Sequence, residues 1–318
     1  MTVDIQAAAQ RLAGHARRTP LLNAPLLDAA AGRRIFVKAE CLQKTGSFKY
    51  RGARNAIAAL DDRTRAKGVL AFSSGNHAQG IALAASELGV PAVIVMPSDA
   101  PDIKVSNTKA YGAEVVPYDR ATQDRDAIGA ALSEDRGLTL IKPFDNAEVI
   151  SGQGTTGLEI AEQAAEAGIT DAQVLVCCGG GGLTSGIALA LETSPFVVRT
   201  VEPEGFDDVA RSLIAGRIQT NDRLSGSICD AIVTPRPGDL TFPIMQRLCG
   251  PGLVVPDKDA LHAVAMAFTH LRIVLEPGGA VALAAALWQL EGDGDVIVVA
   301  SGGNIDPPLF SQALEKFA

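Results

Sequence analysis

The 318-residue chain has no apolar run long enough to span a bilayer, and Met1-Thr2-Val3-Asp4-Ile5 lacks the basic-then-apolar layout of a leader. Neither a transmembrane segment nor a secretory signal is therefore expected. Positive charge is also in deficit. A net charge of −8 offers nothing to an anionic polymer or an anionic lipid surface, so no nucleic-acid or membrane partner is expected. Cysteine is sparse: Cys41, Cys177, Cys178, Cys229 and Cys249 make an odd five without a Cys-x-x-Cys pair. They read as reduced, mostly buried thiols of a cytoplasmic protein. The four histidines (His15, His77, His262, His270) show no zinc-ligand spacing. No proline- or serine-rich linker and no low-complexity tract marks a domain boundary.

What is present is ordinary globular material, 47% hydrophobic and 20% charged, in a chain long enough for a substantial core. Strand-like and helix-like segments alternate. Val69–Phe72, Ala92–Met96, Glu114–Pro117, Val174–Cys178, Val197–Val201 and Val296–Ala300 read as strands. His77–Leu88, Asp102–Tyr111 and Leu183–Glu192 read as helices. Continuous Val/Ile runs indicate strands covered on both faces, and repeated strand–helix–strand units imply an α/β fold with parallel sheets. The motifs fall before about residue 70, between 70 and 145, and after it. Two lobes with a cleft between them are expected, a small one at 69–145 and a large one built from 1–68 plus 146–318. Ligands of such folds bind at the carboxyl ends of strands.

The most informative stretch is Lys44-Thr45-Gly46-Ser47-Phe48-Lys49-Tyr50-Arg51-Gly52-Ala53. It is a poor amphipathic pattern but a good way to hold one amine against a flat ring. A buried lysine loses proton affinity, because desolvation disfavours its charged form. The neutral amine can then form a Schiff base, and pyridoxal phosphate is the carbonyl cofactor most often held so. The plainer reading is a surface lysine at a helix start.

Four further loops follow strands. Ser73-Ser74-Gly75-Asn76-His77-Ala78-Gln79-Gly80 places hydroxyls and an amide before a helix, suited to a carboxylate; alternatively Ser73 or Ser74 is only an N-cap. Gly179-Gly180-Gly181-Gly182-Leu183 removes every Cβ from a strand-to-helix turn and frees backbone N–H groups for a phosphate. The same run, with Gly180, Gly182 and Ser185 ahead of Glu202, imitates a dinucleotide-binding fingerprint. Ser301-Gly302-Gly303-Asn304 could present a hydroxyl to a ring nitrogen, or be a simple turn. In Glu202-Pro203-Glu204-Gly205-Phe206-Asp207-Asp208, carboxylates and a backbone carbonyl could hold a hard divalent cation. The same loop could also be solvated, with Asp207 or Asp208 capping the next helix.

Together with Ala110-Tyr111-Gly112-Ala113, Gly152-Gln153-Gly154-Thr155 and Glu276-Pro277, these segments resemble the fold-type II pyridoxal-phosphate enzymes, in the serine/threonine dehydratase and serine racemase branch. The resemblance covers essentially the whole chain. It implies a tryptophan synthase β-like α/β fold of two open twisted sheets, with the cofactor in the cleft, in a homodimer. It makes Lys49 the lysine that bonds the cofactor and then acts as base at Cα. Phe48 packs on the cofactor ring, and Asn76 donates to its phenolic oxygen. Gly179, Gly180, Gly181, Gly182 and Leu183 take its phosphate, and Ser301 meets its pyridine nitrogen. Ser73, Ser74, Asn76 and His77 hold the substrate carboxylate. Ser74 also stands where the racemases keep their opposite-face acid/base. Glu202, Asp208 and the carbonyl of Phe206 match a Mg²⁺-type site.

The resemblance implies elimination of water from a β-hydroxy-α-amino acid. Arg125 stands where an arginine could meet a distal carboxylate, which points to 3-hydroxyaspartate; it could equally be an exposed helix residue. Serine or threonine dehydration and serine racemisation are the alternatives. With Ala318 the last residue, no regulatory domain and no isoleucine feedback are expected. A nicotinamide-dependent dehydrogenase or a non-catalytic binding protein would have no use for Lys49 and Ser301, or would lack Lys49 or the serine loop.

Overall fold

A computed structural model describes residues 2–100, 102–119 and 121–318. Among the described residues ten strands form two sheets: β1 (Leu21–Leu22), β2 (Ile35–Lys38), β3 (Val69–Phe72), β4 (Ala92–Pro97), β5 (Glu114–Tyr118), β6 (Thr139–Leu140), β7 (Gln173–Cys177), β8 (Val197–Pro203), β9 (Leu253–Val255) and β10 (Val296–Val299). The larger sheet runs β1-β2-β10-β7-β8-β9 and is parallel except where β1 meets β2. The smaller runs β5-β4-β3-β6 and is parallel throughout. Every residue of β4 and β10 is buried, as Val/Ile runs covered by helices on both faces must be. The chain is thus an α/β protein of two parallel-rich sheets. No helix among the described residues is long and apolar enough to cross a membrane. All five cysteines are free, and only Cys249 is not fully buried.

The strands of the smaller sheet all lie between 69 and 145. Its core also takes in Tyr50, Ala53, Ala56 and Ile57 from helix Lys49–Ala58 and Val149 from helix Ala147–Glu166. A line drawn at 68 therefore passes between the smaller sheet and a helix that packs on it. Helix Pro277–Trp288 is apolar nearly all round and is buried along almost its whole length against the larger sheet.

Helix Ala147–Glu166 sets the geometry of the cleft. It packs on helix Lys49–Ala58 through Gly152, where a Cβ would stand 2.7 Å from the carbonyl oxygen of Arg51. It packs on helix Gly182–Ala190 through Gly154, whose amide nitrogen lies 2.6 Å from where a Cβ on Gly186 would be. Backbone contact at both crossings fixes the helix that carries Lys49 relative to the helix that begins at Gly182.

Behind Lys49 the same helix is anchored by buried charge. The Arg51 guanidinium is 1% exposed and grips Glu40 with two bonds of 2.8 Å and Glu159 with bonds of 2.7 and 2.9 Å. Lys38 spends its three N–H groups on Thr19 O, Glu159 Oε2 and Gln163 Oε1. Two cations face two anions, and each hydrogen-bonds its partners.

Candidate active site

The carboxyl ends of β3, β7 and β10 open onto one cavity of about 340 Å³. Phe48, Lys49, Ser73, Ser74, Asn76, His77, Gly179, Gly180, Gly181, Gly182, Leu183 and Ser301 all line it. Two antiparallel contacts join two of its walls. Ser47 bridges Gly302, and the Phe48 amide donates to Ser301 O at 3.0 Å.

Lys49 is the first residue of its helix, yet it is not a surface lysine. Its amine donates to Pro143 O at 3.0 Å and stands 5.0 Å from the centre of the Phe48 ring. Burial pulls its pKa down to about 8, so near neutrality an appreciable fraction is the free amine.

The serine loop does not cap the helix it precedes. Helix Asn76–Glu87 has Gly75 at its N-cap with no side-chain cap bond, and Ser73 Oγ accepts from the Gly75 amide at 3.1 Å. The hydroxyls of this loop therefore remain on the cavity wall. His77 is 3% exposed. Its Nε2 lies 2.9 Å from Ile141 O, so that nitrogen carries the proton and donates. Burial, then the charge of Lys49, lowers its pKa to about 3 and keeps the ring neutral. Its Nδ1 is buried without a partner.

Asn76 has its orientation imposed from outside. Asn304 Nδ2 donates to Thr45 O at 2.8 Å, and a carbonyl can only accept. The same nitrogen donates to Asn76 Oδ1 at 2.7 Å, which turns the Asn76 amide nitrogen toward Glu276 Oε1, at 2.6 Å. The remaining N–H of Asn76 is free for a ligand. Glu276 is buried, and burial pushes its pKa up to about 7.

The glycine loop has no room for side chains, as a backbone cradle for an anion requires. A Cβ on Gly180 would enter the ring of Phe144, one on Gly181 would stand 2.5 Å from Met245 Cε, and one on Gly179 3.0 Å from Ile232 O. Thr241 Oγ1 donates to Gly180 O at 2.6 Å and the Gly238 amide does so at 3.2 Å, which turns that carbonyl away from ligand duty. Among the described residues, the amides of Gly179, Gly180 and Gly181 donate to no backbone group. The loop then opens helix Gly182–Ala190, whose first N–H groups are also free.

The dinucleotide reading fails on the acidic residue it needs. Glu202 is fully buried, and its two oxygens accept from the amides of Val209 and Ala210 at 2.8 and 2.7 Å. Glu202 thus performs the capping that Asp207, at the N-cap without a cap bond, does not. Asp208 is also buried; Oδ1 accepts from Asn221 at 2.6 Å, while Oδ2 has no partner. Burial pushes Asp208 up to about 6 and, with the charge of Asp208 adding to it, lifts Glu202 well above the carboxylate range. Two buried carboxyls, one oxygen of them orphaned, fit a cation. Among the described residues no three His, Cys, Asp or Glu side chains cluster to hold a metal. A cation beside Phe206 would therefore need a backbone carbonyl as well.

Arg125 is not on the cavity wall. Its guanidinium lies 5.6 Å from the centre of the Phe72 ring, which does line the cavity, and 3.6 Å from Asp126. Lys104, Asn107, Asp230 and Asn304, all of them lining residues, carry no role assigned from the sequence, and neither does Glu276. Only Glu276 and Asn304 had a signal, since both sit in motifs already singled out.

The chain matches the family of pyridoxal-phosphate dependent enzymes over residues 12–302, and it belongs to that family. An L-threo-3-hydroxyaspartate ammonia-lyase of Pseudomonas sp is 44% identical over 99% of this chain and 96% of its own. A serine racemase of Oryza sativa subsp. indica is 40% identical over 98% and 93%. Among solved structures, a threonine deaminase from T.th. superposes with a TM-score of 0.89 at 45% identity, covering 95% of this chain and 97% of that one.

Proposed function

We propose that this family member is a dehydratase, or ammonia-lyase, that removes water from a β-hydroxy-α-amino acid, with 3-hydroxyaspartate as its substrate. The observation that carries the reading is a lysine amine of lowered pKa on the wall of a cavity that also holds the glycine cradle and the serine loop. The substrate choice rests on the likeness to the Pseudomonas enzyme.

When bound, pyridoxal phosphate supplies a carbonyl for the substrate amine and a ring that draws electrons from Cα. Gly179 to Leu183 would hold its phosphate, Phe48 its ring face, Asn76 its phenolic oxygen and Ser301 its ring nitrogen. The free Lys49 amine takes the Cα proton as general base. The Ser73–His77 loop holds the substrate carboxylate and orients the Cα–H bond. The β-hydroxyl departs with a proton as water. The unsaturated amine that is released becomes an imine, and water splits it into a keto acid and ammonia. From 3-hydroxyaspartate the keto acid is oxaloacetate. Ser301 is a neutral hydroxyl, which stabilises a protonated ring nitrogen less than a carboxylate would and so favours elimination over transamination. A divalent cation at Glu202, Asp208 and the Phe206 carbonyl, a homodimer and a cytoplasmic setting belong to the same reading. The orphaned Asp208 oxygen supports the cation.

Serine racemisation is the second reading. It is favoured by the placement of Ser74, a second proton-carrying group, on the cavity wall. The test is keto-acid release from L-serine, L-threonine and the threo and erythro forms of 3-hydroxyaspartate, supplied in parallel with Mg²⁺. Preference for one hydroxyaspartate isomer is the expected result. Equal or better turnover of serine or threonine overturns the acidic substrate, and D-serine appearing in the residual pool establishes the second reading.

A further inference from the structure

We infer that Lys104, with Asn107 one turn further along its helix, is the subsite for a second carboxylate on the substrate, and that Asp230 occupies Lys104 until that carboxylate arrives. The inference deepens the proposed function and rests on its acidic substrate.

Lys49 and Lys104 are the cationic side chains lining the cavity among the described residues. Lys49 is committed to the cofactor and to the proton at Cα. That leaves Lys104 for an anion that is neither cofactor phosphate nor α-carboxylate. Its side chain is 21% exposed, and its amine lies 3.4 Å from Asp230 Oδ2, across the cleft from helix Asp102–Ala110. The Asp230 carboxylate is 70% exposed, so this pair is long, solvated at one end and weak. A substrate carboxylate can replace Asp230 with little loss.

Helix stability does not account for the residue. Lys104 sits in the first turn of helix Asp102–Ala110, the end at which a cation is disfavoured. Asn107 follows at i+3 on the same helix face and also lines the cavity, which puts an amide donor beside the ammonium. The other charged groups on the wall, Asp230, Glu276 and Asp306, are acidic. With Lys49 committed to the cofactor, a second carboxylate meets a free cation on this wall only at Lys104, so this position selects a dicarboxylic substrate by place as well as by charge.

The test uses the holoenzyme and two readouts. The first is the ratio of kcat/KM for L-threo-3-hydroxyaspartate over L-serine. Lys104→Gln lowers that ratio by about 10- to 100-fold, the range of one charge-assisted hydrogen bond. Lys104→Arg restores most of it, and Asp230→Asn raises it. The second readout is binding, followed through the cofactor absorbance, of L-aspartate against L-alanine. The wild type prefers aspartate, and Lys104→Gln abolishes the preference. A ratio that stays constant in Lys104→Gln, or one that falls only in Arg125→Ala, overturns the assignment. So does a wild type that binds both amino acids alike. If hydroxyaspartate is not turned over but the aspartate preference depends on Lys104, the subsite stands and the proposed substrate falls.

Discussion

The helix Lys49–Ala58 separates two populations of buried titratable groups that are treated in opposite ways. On its buried side Arg51, Glu40, Lys38 and Glu159 are matched cation to anion. Burial works against the charge of Arg51 and of Glu40, yet each partner outweighs it, so the guanidinium pKa is raised and the carboxyl pKa lowered. Lys38 is instead shifted toward its neutral form, by burial that Glu159 does not fully offset. On the cavity side Lys49, His77 and Glu276 have no opposite charge in a hydrogen bond. Burial moves each toward its neutral form, to about 8, 3 and 7. Paired burial makes an anchor, while unpaired burial leaves His77 neutral and brings Lys49 and Glu276 to where they can exchange a proton near neutral pH.

The largest effect expected from breaking this contrast is on turnover. Lys49→Ala removes the amine and should lower keto-acid release by about 10⁴-fold or more. In the cofactor-free protein its thermal midpoint should stay level or rise, since a buried amine without a charge partner is lost. A marked fall in the midpoint would place Lys49 among the anchoring groups. Arg51→Ala should do the reverse. It leaves Glu40 buried and unpaired and should cost about 3–5 kcal/mol of stability, read as the urea midpoint at constant m. A loss below about 1 kcal/mol would show that the network is not an anchor.

The division between anchor and reactive wall was only half legible in the sequence. The strands β3, β4, β7, β8 and β10 announced themselves as Val/Ile runs, and the loops after β3, β7 and β10 as clusters of Gly and Ser. The strands β1, β6 and β9, of two or three residues, carry too little pattern to be seen before their neighbours are placed. Arg51 lay in view beside Lys49, but nothing local says that Glu40 and Glu159 meet it, because those pairings depend on the crossing at Gly152. Lys104 and Asp230 were unreadable for the same reason: 126 residues apart, they meet only across the cleft. Asn304 stood in a motif read for its serine. Its part in orienting Asn76 follows from a bond to Thr45 O that no pattern records.

The smallest effect sharpens the comparison most, because it asks whether Glu276 belongs to the unpaired wall. Its folded pKa of about 7 lies above the ordinary 4.5, so the unfolded chain loses its proton first as pH rises. The contribution of Glu276 to stability is then complete below about pH 4.5, declines between 4.5 and 7, and is flat above. Glu276→Gln keeps an oxygen to accept from Asn76 Nδ2 but has no proton to lose. In the cofactor-free protein, the stability of Glu276→Gln relative to wild type should climb across that window by on the order of 3 kcal/mol and then level off. Paired denaturation curves at pH 4.5, 6 and 8 measure the difference. A difference that does not vary with pH would mean that Glu276 ionises as a matched carboxylate does. It would then join Glu40 on the anchoring side, and the Asn76 amide would be held by a permanent charge instead of a carboxyl that exchanges its proton near neutrality.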